Sequence, residues 1–222
     1  MDNPIEAVES KVVDISVAKR GNIKPKENSK NPDKDECLTP SYAVSPLKQI
    51  LKVHPDMVLW EPCYVKGSGM VEGIEEVFND NEIIGSHIGH GHDFFKMRDY
   101  IDSQNIQANN LGIITNPPYS NKLNWIKQAY QYTNNWAMLL PVESLASSKI
   151  RAVLNEKGGA SALFLDTRVD FKLPDKTWYE SSAQFPTFWL IAGFGVEPNQ
   201  IYDGYIGNQK RSFKQFCKMI GI

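Results

Sequence analysis

The stretch LGIITNPPYSNKLNW, residues 111–125, carries a strand-like apolar run straight into an asparagine, two prolines and a tyrosine. Neither Pro117 nor Pro118 has a backbone donor, and each fixes its own φ and restricts the residue before it, so helix and ladder both stop there. The chain is expected to be stiff and extended at this point, presenting Asn116 and Tyr119 from a rigid bracket.

Outward from the bracket, short apolar runs alternate with helix-like patterns. MVLW (57–60), EIIG (82–85), LGIIT (111–115), WAMLL (136–140), ALFLD (162–166) and FWLIAG (188–193) read as buried strands. Between them, 68–78, 121–133 and 144–157 read as helices, with apolar stripes through Val71, Ile74 and Phe78, through Leu123, Ile126 and Tyr130, and through Ala146, Ile150 and Val153. Thr39-Pro40 and Ser45-Pro46 suggest two N-cap and N1 pairs opening short helices. Such alternation predicts an α/β fold with a doubly wound, mostly parallel sheet, whose ligands bind outside the carboxyl ends of the strands. The bracket follows the strand LGII directly, so it is expected at that edge, facing the cleft.

At 222 residues, with 41% hydrophobic and 23% charged content, the chain reads as one soluble domain over 35–222, preceded by a polar, flexible, basic arm over 1–34. The sequence shows neither a membrane-length apolar run nor an apolar leader at its start, which predicts a cytoplasmic location. Three widely spaced cysteines suggest neither a disulfide framework nor a zinc site, and His87, His90 and His92 match no standard ligand spacing, so no metal is expected. The net charge is −2, yet both chain ends are basic, the second being a C-terminal helix carrying Lys210, Arg211, Lys214 and Lys218. Those ends read either as phosphate contacts or as solvated faces. Trp178 and Tyr179, in the polar segment 168–184, read either as base contacts or as a lid over the sheet edge, whereas Trp125 and Trp136 read as core.

The chemistry of the bracket narrows the substrate. An asparagine carbonyl and the carbonyl of the following proline, at fixed separation, offer two acceptors to the two hydrogens of an amino group. Two acceptors favour a more tetrahedral nitrogen, whose lone pair can then point at an electrophile. Tyr119 supplies a flat face, and stacking is worth roughly 1–3 kcal/mol per base. The group suggested is a planar ring bearing an amine.

Over residues 35–195 the sequence resembles the S-adenosylmethionine-dependent amino-methyltransferases that act on the exocyclic amine of adenine. TNPPYS is similar to their Asp/Asn-Pro-Pro-Tyr/Phe motif, LWEPCYVKGSG (59–69) to their first motif, DFF (93–95) to their third, and DECLTP (35–40) to the segment before their first strand. The cofactor motifs precede the catalytic one, which is the γ-type order. The resemblance implies a Rossmann-like, seven-stranded sheet with its last strand antiparallel, and S-adenosylmethionine as the methyl donor. It implies catalytic roles for Asn116, Pro117 and Tyr119, and donor contacts from Thr39, Pro40, Glu61, Pro62, Cys63, Gly67, Gly69, His87, Asp93 and Phe94. The pattern has glycine where Val65 stands, and a ribose-binding carboxylate where His87 stands. The implied substrate is adenine in DNA, with RNA left open beside it, and specificity would rest on 168–184, on the basic ends, or on a partner subunit or second copy. Two alternatives share these residues: an amino-methyltransferase of a protein glutamine side chain, and a non-catalytic methyltransferase-fold subunit.

Overall fold

A computed structural model of the chain describes residues 37–66, 68–172 and 185–211, together with the backbone of 12–14. Its sheet holds eight strands: β1 (Val12–Asp14), β2 (Val58–Glu61), β3 (Ile83–Gly85), β4 (Leu111–Thr115), β5 (Asn135–Pro141), β6 (Ser161–Leu165), β7 (Thr187–Ala192) and β8 (Ile201–Gly204). They lie in the order β1-β3-β2-β4-β5-β7-β6-β8, every pairing parallel except those of β7, which runs antiparallel between β5 and β6. The six strands read from apolar runs are all present within a residue of their expected ends, because a strand buried on both faces must be apolar throughout.

Two features correct the seven-stranded expectation. Val12–Asp14, from the segment expected to be an arm, pairs with Ile83–Gly85 at one edge. Ile201–Gly204 follows the antiparallel strand and pairs with β6 at the other edge, so the antiparallel strand is not the last. Each is an edge strand, and an edge strand needs no continuous apolar run to hold its place.

The helices α1 (Gly69–Val77), α2 (Arg98–Ser103), α3 (Lys122–Tyr132) and α4 (Ser148–Glu156) cover both faces. Alternate strand residues divide the core. Leu59, Ile83, Ile114, Leu139, Leu163 and Trp189 pack with Met70, Val71 and Ile74 of α1 and with Tyr42 to Leu51. Trp60, Ile84, Ile113, Trp136, Leu140 and Phe188 pack with Ile101 of α2, Trp125, Ile126 and Ala129 of α3, and Ile150 and Leu154 of α4. Trp125 and Trp136 are core residues, as expected. The stripe of α3 is rotated from the expected one: Trp125, Ile126, Ala129 and Tyr132 are buried, and Leu123 and Tyr130 only half so.

The two short helices near residue 40 are 3-10 turns, Ser41–Ala43 and Ser45–Gln49, and their N-caps are Pro40 and Val44. Thr39 therefore stands one residue before the cap, with its hydroxyl released from capping. No helix among the described residues is long and apolar enough to cross a membrane.

Candidate active site

From β2 the chain crosses through α1 to β3 on one side, while β4 lies on β2's other side and leads on to β5. The carboxyl ends of β2 and β4 therefore flank the point where the winding reverses, which is where an open α/β sheet leaves a crevice. Glu61 is the last residue of β2, and Thr115, Asn116 and the prolines close β4. Pro118 is extended at φ −54° and ψ 120°, and Tyr119–Asn121 forms a 3-10 turn that runs into α3. The bracket is thus a strand-to-helix junction whose first half the prolines hold open.

Among the described residues, Asn116 Oδ1 and Glu61 Oε2 at this edge are buried oxygen atoms with no hydrogen-bond partner. The Asn116 amide nitrogen donates to Thr39 Oγ1 at 3.0 Å. Its oxygen remains as a buried acceptor, a cost that a ligand donor would relieve. Glu61 is 1% exposed; its Oε1 accepts from the Cys63 amide at 2.6 Å and from the Thr115 hydroxyl at 2.8 Å. Burial pushes its carboxyl up to about 8, against which those two bonds work only partly. Burial also raises the Cys63 thiol well above its usual range, as does the adjacent Glu61 charge, so Cys63 is an inert thiol.

Thr39 is 1% exposed and fixed through its backbone. Its carbonyl accepts from the Gly69 amide at 2.8 Å, and the preceding Leu38 bonds Lys172 in both directions, at 2.7 and 3.0 Å. A Cβ on Gly69 would lie 2.5 Å from Ser41 N and 3.1 Å from Thr39 O, so only glycine lets α1 approach this segment. At Gly69 the close approach is to protein backbone. Ser68 caps α1, its hydroxyl accepting from the Met70 amide. Val65, where the pattern has glycine, is not among the residues with positive φ, so valine is accommodated there without strain.

The remaining expected donor contacts divide. Pro62 is buried beside Glu61, Pro40 is buried against the first turn, and Gly67 lies outside the described residues. His87 follows β3, but its Nδ1 accepts from the Gly89 amide at 3.1 Å, which uses its one acceptor. Burial, and next the nearby His90, lower the His87 pKa, leaving it neutral with Nε2–H as a donor. Asp93 Oδ1 accepts from the Phe95 amide at 3.1 Å, and Oδ2 pairs with Lys96 at 3.4 Å.

Phe94 packs in the core. It is 2% exposed, its ring stacked on Trp125 at 4.2 Å and tilted against Trp60 and Tyr132. The exposed ring of that pair is Phe95, which with Asn121, Asn124 and Lys127 lines a separate shallow concavity along α3. Tyr119 is half-buried, edge-on to Phe185 at 5.7 Å.

One cation of the basic C-terminal end, Lys210, is buried. Lys210 is 8% exposed, pairs with Asp170 at 3.1 Å and donates to the Arg168 carbonyl, so it is not a solvent-facing cation. Lys214, Lys218, Trp178 and Tyr179 lie outside the described residues. Among the described residues no cluster of His, Cys, Asp and Glu could hold a metal ion. Sequence reasoning overlooked Thr115 and Phe185; a hydroxyl ending an otherwise apolar strand was the available signal for Thr115.

No family model matches the chain, and neither does any curated protein. Among solved structures it is similar to the methyltransferase subunit of a type I restriction-modification system from Streptococcus thermophilus. The identity there is 14% and the TM-score 0.49, over 82% of this chain and 54% of that one. It is also similar to a chain from Vibrio vulnificus named as a modification subunit of a type I restriction enzyme. That match has 13% identity and a TM-score of 0.49, over 78% of this chain and 48% of that one. The chain spans about half the length of each.

Proposed function

We propose that the protein transfers a methyl group from S-adenosylmethionine to the exocyclic amine of adenine in DNA. The observation that carries this reading is the buried, unpartnered Asn116 Oδ1 at the carboxyl edge of β4, held beside a proline-fixed backbone. An amine with two hydrogens satisfies that oxygen and the neighbouring Pro117 carbonyl together, which localises the nitrogen lone pair. Tyr119 offers its ring to the base. Holding the amine in line with the electrophile is the main catalytic effect, since orientation alone is worth several kcal/mol.

The methyl donor supplies an electrophilic carbon when bound. Glu61 Oε2, buried and unpartnered, suits a cationic group of that donor, and the His87 Nε2–H suits a hydroxyl. Asp93, although engaged on both oxygens, retains lone pairs for an amine. A duplex adenine must leave the stack to reach the bracket. The cations of the chain ends and the segment after Lys172 are the proposed nucleic-acid contacts, and a partner subunit or second copy is proposed to supply the rest of the specificity.

The test is transfer of labelled methyl from S-adenosylmethionine to DNA, RNA and protein fractions by the parent and by Asn116→Ala. Label in N6-methyladenine of DNA, abolished in the variant while donor affinity by calorimetry is retained, is the expected result. Label on a protein glutamine would replace the substrate, and loss of donor binding in the variant would move Asn116 out of its role.

A further inference from the structure

Thr39 was expected to touch the methyl donor, but its hydroxyl has another use. We propose that Thr39 is a positioning residue acting through Asn116: a fixed post that holds the asparagine amide so that Oδ1 faces the substrate amine. The inference deepens the amino-methyltransferase reading and rests on it for its kinetic consequence, though not for the contact itself.

Three observations support it. The Asn116 Nδ2 to Thr39 Oγ1 bond spans 77 positions of sequence, so it is a tertiary device and not a turn motif. Thr39 cannot drift, because its carbonyl is tied to the first amide of α1 and the residue before it is bonded both ways to Lys172. Asn116, by contrast, is half-buried, and among the described residues its amide makes this one hydrogen bond and its oxygen none.

An asparagine amide turns about its last torsion in a broad, roughly two-fold well, so side-chain packing alone orients it poorly. The hydroxyl fixes the plane of the amide, and with the nitrogen donating to it the oxygen is left at the other end. In that arrangement the acceptor faces the cleft before any substrate arrives, and the reorganisation needed at the reacting amine falls. Without the hydroxyl the amide is unsatisfied at both ends and turns between them. Threonine suits the post, since its β-branched side chain is stiff about χ1.

The geometry separates two roles for Thr39. A donor contact would show in the Michaelis constant for the donor, whereas an amide post shows in turnover. Thr39→Val keeps the shape and removes the hydroxyl; Thr39→Ser keeps the hydroxyl. Expected are a kcat about tenfold lower for Thr39→Val, from one lost hydrogen bond, a donor KM changed less than twofold, and recovery of most of the turnover in Thr39→Ser. A raised donor KM at unchanged kcat would overturn the inference and return Thr39 to the donor.

A second measurement needs no activity. In ligand-free protein, the side-chain amide protons of Asn116, identified by their loss in Asn116→Asp, are read by NMR for hydrogen exchange. Exchange should be slow in the parent and Thr39→Ser, and at least tenfold faster in Thr39→Val, for loss of the same bond. Equal protection in all three would overturn the inference even if the parent methylates adenine. Protection lost in Thr39→Val while the parent methylates no adenine would leave the post in place and refute the proposed substrate.

Discussion

Glu61 allows a prediction whose size can be worked from the structure. Its carboxyl has a usual pKa of 4.5 and is pushed up to about 8 in the folded protein by burial. A group raised on folding binds its proton more tightly in the native state, so its contribution to stability is complete below pH 4.5. That contribution falls as pH rises to about 8 and is flat above. The whole gap corresponds to roughly 5 kcal/mol at 1.36 kcal/mol per unit, and about 3 kcal/mol of it lies between pH 5 and 8. Glu61→Gln is the appropriate perturbation. Its amide oxygen can accept from Cys63 and Thr115 as Oε1 does, and its nitrogen stands where the protonated Oε2 stands. Urea denaturation of both proteins at pH 5, 6, 7 and 8 makes the comparison, since all other titrating groups cancel in the difference. The parent should lose about 3 kcal/mol relative to Glu61→Gln across that range. Parallel curves would mean that the native carboxyl is already ionised at pH 5, and would refute the reading that burial holds the proton on Glu61.

Gly69→Ala should destabilise the fold by about 1–3 kcal/mol, read by the same melts, because the new Cβ meets backbone of Thr39, Pro40 and Ser41 that cannot swing aside. A variant as stable as the parent would mean that the contact costs no more than the helix-propensity gain of about 1 kcal/mol, and that the backbone there does give way. His87→Asp should tighten S-adenosylmethionine binding by up to about tenfold in calorimetry, since one carboxylate oxygen can take over the Gly89 amide and leave the other for the ribose hydroxyls. Weaker binding would make the histidine's Nε2–H the contact that matters.

The central strands and the bracket were legible in the sequence because their causes are local. Strands flanked on both sides and buried on both faces must be apolar throughout, so LGIIT, WAMLL and FWLIAG announce themselves, and two consecutive prolines stop a strand whatever surrounds it. Val12–Asp14 and Ile201–Gly204 carry no such signal: an edge strand is held by one neighbour, and Ile201 is 75% exposed. The short helix Arg98–Ser103 buries only Ile101 and shows no stripe to find.

Phe94 and Phe95 are alike in sequence, and only packing against Trp125 decides which ring is core. Lys210 looks like one more basic tail residue until Asp170, 40 positions earlier, is folded against it. At the candidate site the residue types were readable but their partners were not. Thr39 meets Asn116 across 77 positions and Glu61 meets Thr115 across 54, contacts made by α1 packing on its neighbours and by β2 lying against β4. Local sequence determines which groups a strand end can offer; which of them remain unpartnered, and so available to a ligand, is decided by chain segments that only the tertiary structure brings together.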